Sequence, residues 1–111
     1  MREEIAIVEM VRRNGQIPFA RWFDRLDAAH AAKVVTAVTL LRQGNTSNTK
    51  PVVDGVWAYR INWGQGIRIY FGWDGTTIIV LLGGGTKRRQ QKDIEAAKSL
   101  WCEYKQNKQG R

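Results

Sequence analysis

The stretch GVWAYRINWGQGIRIYFGWDGTTIIVLLGGG, residues 55–85, decides the fold. Apolar and polar side chains alternate over 56–62 and again over 67–72, and a last strand-forming run covers 76–82. Residues 64–66 and the Asp74, Gly75 pair carry the glycines that turns need, so the stretch predicts three consecutive strands in an antiparallel meander. Setting apolar side chains opposite one another pairs Tyr59 with Ile69 and Ile61 with Ile67 on the core face, and the same register sets Arg60 opposite Arg68. Slipping the register by one residue would bury charge, and slipping it by two keeps the two arginines diagonal neighbours.

Working upstream, 45–55 is polar, holds Lys50 and Pro51, and reads as a loop or irregular edge strand leading into the sheet. Before it, Ala31, Val34, Val35, Val38 and Leu41 make one apolar stripe, which predicts a helix over 28–43 with Gly44 and Asn45 as its stop. Pro18 suits a first helical position, and Phe19, Trp22, Phe23 and Leu26 follow at helical spacing to Asp27, which can cap the next helix. Residues 4–9 predict a first strand, and Arg12, Arg13, Asn14 and Gly15 a turn. Downstream, Ile94, Ala97, Trp101 and Tyr104 share one face of a final helix over 89–108. The expected architecture is α+β: an N-terminal helical hairpin packed on a curved antiparallel β-sheet with a C-terminal helix, in one domain spanning 1–111.

Eighteen Lys plus Arg stand against 10 Asp plus Glu, a formal charge of +8, which makes phosphate-bearing partners the first suspects. The single cysteine, Cys102, excludes an internal disulfide and a cysteine metal cage and fits a reducing compartment. No window approaches the roughly 20 apolar residues of a membrane span, and the N-terminal MREEIAIVEMVRR is no signal peptide, so the expected location is the cytoplasm. His30, the one histidine, lies at an alanine-rich helix start and reads as structural or exposed. With no His pair, paired carboxylates or Ser, His, Asp set, neither a metal nor a cofactor is implied, and any chemistry falls to cations.

Two arginines facing each other across a hairpin repel, and the arrangement makes physical sense if an anion sits between the guanidinium groups. The competing reading gives each arginine its own carboxylate on a neighbouring helix. Tyr70 shares the face of Arg68 two residues along, where a phenol could stack on a base or exchange a proton, or serve as an ordinary half-buried strand aromatic. The run Gly83, Gly84, Gly85, Thr86, Lys87, Arg88, Arg89 reads as a turn bringing three cations to a helix N-terminus, or as a flexible connection with solvated charges. It lacks the Walker spacing, which argues against nucleoside triphosphates.

The segments GVWAYRINWGQGIRIYF, IIVLLGGGTK and QQKDIEAAK, together with FARWFDRL and LLRQGN, resemble the RelE/ParE superfamily of bacterial toxins, nearest its HigB-like addiction module killer proteins. The resemblance runs from Pro18 through the last helix. It implies a RelE-like fold and the toxin of a type II toxin–antitoxin pair, an endoribonuclease (mRNA interferase) that cuts mRNA on the translating ribosome without a metal. Implied partners are a helix-turn-helix (HigA/Xre-like) antitoxin and ribosome-bound mRNA, with DNA reached only through the antitoxin.

Position by position, Arg60 matches the arginine of the family's Glu-Leu-Arg strand, Arg68 that of its Gly-Tyr-Arg strand, and Lys87 the lysine of its Gly-Gly-Asp-Lys turn; Lys50 matches the loop lysine before the sheet. The implied catalytic set is Arg60, Arg68, Tyr70 and Lys87, with Lys50, Arg88 and Arg89 as RNA-binding residues. Ala58 and Tyr59 stand where the family has Glu-Leu, Ile67 replaces a tyrosine and Thr86 an aspartate. The site is therefore more basic than the pattern and lacks two carboxylates that could orient cations or manage protons. Two other readings stay open on the same fold: a ParE-like, non-enzymatic inhibitor of DNA gyrase, and a nucleic-acid-binding module without catalysis.

Overall fold

The computed structural model describes residues 4–109. Strand β1 (Ala6–Glu9) is followed by helices α1 (Pro18–Asp24) and α2 (Ala28–Arg42). Strands β2 (Thr49–Val53), β3 (Val56–Ile61), β4 (Ile67–Asp74) and β5 (Ile78–Thr86) come next, and a 3-10 turn (Lys87–Arg89) runs into α3 (Gln90–Gln109). Helix ends follow their local chemistry. Pro18 opens α1, and the Asp27 carboxylate accepts from the His30 backbone N–H at 2.9 Å to cap α2, as its sequence position predicts.

The sheet order is β1-β5-β4-β3-β2. The β3–β4 register is the predicted one, with Tyr59 opposite Ile69, Arg60 opposite Arg68 and Ile61 opposite Ile67. The sheet departs from the all-antiparallel expectation at its edge: β1 runs parallel to β5, Ala6 opposite Ile78 and Val8 opposite Val80. A parallel pair needs a long crossover, which α1, α2 and the meander together supply. At the other edge 49–53 is a strand with a bulge between Pro51 and Val53.

The glycine run is the second departure. Instead of turning, Gly83, Gly84, Gly85 and Thr86 continue β5 and pair with Tyr70, Ile69, Arg68 and Ile67, beyond an irregularity at Tyr70/Phe71. The cause is close approach rather than a bend. A Cβ on Gly85 would collide with the Asp93 carboxylate, so α3 can settle on β5 there only over a glycine.

Both faces of the sheet are covered. Phe19, Val34, Ala37 and Leu41 of the helical hairpin pack on Tyr59, Ile67, Ile69, Phe71, Ile79 and Leu81. On the opposite face Ala97 and Trp101 of α3 pack on Met10, Val56, Ala58, Tyr70, Val80 and Leu82. The central strand is therefore buried on both sides from Ile67 to Gly72, and each large aliphatic side chain so placed contributes about 1.5–3 kcal/mol. Cys102 lies exposed on α3. His30 is partly exposed, with Nδ1 2.8 Å from Asp27 and its ring edge-on to Trp63 at 4.8 Å. Among the described residues no helix is long and apolar enough to cross a membrane.

Candidate functional site

Side chains directly opposite in an antiparallel pair share a face. The pairings therefore put Lys50, Ala58, Tyr70 and Gly83 in one row across the sheet, and Arg60, Arg68 and Gly85 in the next, on the face that α3 covers. Strands lie roughly 4.8 Å apart, so Lys50 stands about 10 Å from Tyr70 across the row. Lys87 follows at the same end of the sheet, where its backbone N–H donates to the Gly66 carbonyl at 3.2 Å in the β3–β4 turn. Lys50, Arg60, Arg68, Tyr70 and Lys87 are thus gathered at one end of one face.

They do not share one environment. Arg60 is exposed, whereas Arg68 retains 6% of its accessible surface and Tyr70 1%. The two arginines occupy one row, but the start of α3 covers only the second. Lys50, Lys87, Arg88 and Arg89 are exposed. The charge of Arg89 reaches the site indirectly, by opposing the rise of the Asp93 pKa. Neither Asp54 nor Asp74 serves the arginines: Asp54 pairs with Lys98 at 3.2 Å, and Asp74 pairs with Lys108 and accepts from the Tyr104 hydroxyl at 2.7 Å.

The chemistry gathers around Arg68. Its Nε and Nη1, the Tyr70 hydroxyl and Asp93 Oδ2 are buried and have no hydrogen-bond partner among the described residues. Leaving one such group unpaired costs about 1–3 kcal/mol, more when it is charged, so these three side chains are a candidate site rather than a stabilising network. Asp93 comes from the first turn of α3, where the helix dipole favours a negative charge. Burial pushes its carboxyl above the usual range, with Arg89 opposing. Burial also pushes the Tyr70 phenol up to about 12, the Asp93 carboxylate adding to the rise and Arg68 opposing it. At neutral pH Tyr70 is therefore a proton donor, with a carboxylate and a cation near enough to bear on its pKa.

Beside Tyr70 and Asp93, though not lined by Arg68, a pocket of about 160 Å³ opens between α1, β5 and α3, with Gly83, Gly84, Trp22 and Arg25 in its wall. It is large enough for a phosphate group or several waters. Asp93, Trp22 and Arg25 are the residues that sequence reasoning missed. The signal for Asp93 was present in QQKDIEAAK, a carboxylate in the first turn of the helix after a glycine run, but its meaning depends on where that helix lands. No group of three or more His, Cys, Asp or Glu among the described residues could hold a metal ion.

An uncharacterized protein of Haemophilus influenzae is 38% identical over 85 residues, covering 76% of this chain and 86% of that protein. The family model "Phage derived protein Gp49-like" matches residues 21–101, from α1 through Trp101 of α3 and so across every sheet residue of the site. The chain accordingly belongs to the Gp49-like, phage-derived proteins, a toxin-like family related to the RelE and HigB addiction modules.

Proposed function

We propose that this protein is the toxin of a type II toxin–antitoxin pair, on the HigB-like side of the RelE/ParE superfamily, and that it cleaves mRNA on the ribosome without a metal. The observation that carries this reading is the unpaired buried triplet of Arg68, Tyr70 and Asp93. A cation, a phenol donor and a carboxylate whose pKa is raised are the groups that a 2′-hydroxyl attack on the adjacent phosphate requires. The 2′-oxygen bonds to phosphorus, the bond to the 5′-oxygen breaks, and the products carry a 2′,3′-cyclic phosphate and a 5′-hydroxyl.

In this scheme Arg68 and Arg60 offset the charge growing on the phosphate oxygens. Asp93 or Lys50 takes the 2′-hydroxyl proton, and Tyr70 donates toward the phosphate or the leaving oxygen with Lys87 or Arg88 close by. Tyr70 is a poor base because its phenol titrates at about 12. Asp93 takes the place of the carboxylates that Ala58 on β3 and Thr86 on β5 do not supply. The partner on this reading is a helix-turn-helix antitoxin, through which alone the toxin meets DNA. The apolar groove between α1 and α2, with Phe19, Phe23, Val38 and the exposed Val35, offers such a partner an anchoring surface.

One observation favours a second reading. Arg68 is 6% exposed, so a substrate phosphate reaches it only if the start of α3 gives way. A non-enzymatic inhibitor of gyrase, or a binding module, would need only the surface cations. Induced expression of the chain in a bacterium, with growth followed and mRNA ends mapped, separates these readings. Growth arrest with codon-phased cuts that vanish in Arg60→Ala and Arg68→Ala is the outcome expected of a ribosome-dependent nuclease. Arrest with intact mRNA points to gyrase, and harmless expression to the binding module.

A further inference from the structure

The pocket beside Tyr70 and Asp93 is not isolated. It shares Pro18, Arg25, Ala96 and Leu100 with a larger concavity of about 390 Å³ between α1 and α3. That concavity in turn shares Arg12, Ser99 and Glu103 with a third of about 530 Å³, which ends at Arg13 and Asn14. Together they line the seam that α3 makes first with α1 and then with the turn at 12–14, the Arg12–Glu103 ion pair standing between the last two. On α3 it runs from Asp93 to Gln106, about 20 Å at 1.5 Å per residue, the span of several nucleotides.

Charge along this groove is lopsided. Its charged lining consists of Arg12, Arg13, Arg21 and Arg25 against Asp93 and Glu103. Glu103 is taken up by Arg12 at 3.0 Å, and Arg13 is steadied by the Asn107 side chain at 2.5 Å. Arg21 of α1 and Arg25, its C-terminal cap, are four residues apart and exposed, and among the described residues their side chains make no hydrogen bond or ion pair. Like charges at that spacing repel each other, and an anion between them removes the repulsion. The α3 wall opposite is built of Ala96 and Ser99, small enough to leave the groove open, and Gln16 supplies a neutral hydrogen-bonding group.

We propose that the α1–α3 seam is a track for single-stranded RNA, in which Arg21 and Arg25 hold backbone phosphates of the nucleotides flanking the one whose phosphate enters the Tyr70–Asp93 pocket. This rests on the RNA-cleaving reading and adds to it a second strand-holding surface, on the flank of α3 away from Lys50 and Arg60. Guanidinium groups along a groove whose deep end carries Trp22 and Tyr70 match the phosphate-plus-aromatic chemistry of single-strand binding.

The test is fluorescence anisotropy of a labelled single-stranded RNA oligonucleotide titrated with the full chain over a series of salt concentrations. The Arg21→Ala/Arg25→Ala double variant should bind roughly tenfold more weakly. Its plot of log affinity against log salt should be shallower by about 1.4, near 0.7 for each phosphate that the variant no longer neutralises. Arg21→Lys/Arg25→Lys should keep the slope, and unchanged circular dichroism would exclude misfolding, since both side chains are exposed. Wild-type affinity and slope in the alanine variant would overturn the proposal. So would retained RNA binding with lost affinity for poly-glutamate, which would mark the seam as a site for an acidic protein. Failure here is distinct from failure of the cleavage reading. Cleavage that depends on Arg68 while the seam variant binds normally sinks the track alone, whereas a seam-dependent slope in a chain that cuts no RNA sinks only the nuclease.

Discussion

The two ends of α3 lie on the same sheet and behave oppositely. At the C-terminal end Trp101 lies on Gly72, where an added Cβ would come within 2.6 Å of the indole, and stacks on Tyr104 at 5.3 Å. Tyr104 donates to Asp74, and Lys108 pairs with the same carboxylate, so the polar groups there are matched. At the N-terminal end Asp93 lies on Gly85 with equal intimacy, yet Arg68, Tyr70 and Asp93 are left with buried atoms unpaired. One end is an anchor and the other the candidate site. Helix packing explains the first, and the unpaired groups of the second are the ones the proposed reaction uses.

The largest expected effect breaks the anchor. Trp101→Ala removes a buried side chain that keeps only 6% exposure and should cost about 3–5 kcal/mol in denaturant unfolding. Both ends of α3 loosen, so activity falls with stability.

Next in size is a contrast of sign between the two carboxylates. Lys108 and the Tyr104 hydroxyl hold Asp74 below the ordinary aspartate value of 3.8, so its stabilisation is present above that value and fades as pH falls through the lowered one. Asp74→Asn should therefore destabilise at neutral pH and converge on wild type in acid. For Asp93 the folded-state pKa is raised above 3.8, so the favourable state is the protonated one, complete below 3.8 and lost as pH rises through the raised value. Asp93→Asn should be at least as stable as wild type at pH 7, with the difference closing below about pH 3.8. Unfolding curves across pH for the two variants read both signs.

The smallest effect is Tyr70→Phe. It deletes an unpaired hydroxyl and should leave stability within about 1 kcal/mol of wild type while slowing RNA cleavage roughly tenfold or more. A loss of several kcal/mol would mean that the hydroxyl is bonded in the folded protein and would erase the contrast between the two ends.

The β3–β4 register was legible to the residue, because apolar side chains over 56–62 and 67–72 face one another in it and charge stays out of the core, and the structure has that register. Asp27 as a cap and Pro18 as a helix start were equally local and equally readable. The parallel β1–β5 pairing was not, since it joins segments far apart in the chain and leaves no local mark. Gly83, Gly84 and Gly85 misled for a physical reason: glycine disfavours strands, and here the close approach of Trp22 and Asp93 overrides that preference. The site was half legible. Face-sharing of Arg60, Arg68 and Tyr70 follows from period-2 alternation, but which of them α3 covers, and that it delivers Asp93, depends on helix placement that no alternation encodes.

The most direct test of the contrast between anchor and site is a paired measurement on Asp93→Asn at pH 7: unfolding free energy by denaturant, and mRNA ends mapped after induction. Stability equal to or above wild type together with lost cleavage is the expected result, because the carboxylate serves the reaction and not the fold. A variant that is markedly destabilised, or one that is stable and cuts mRNA as wild type does, would contradict it.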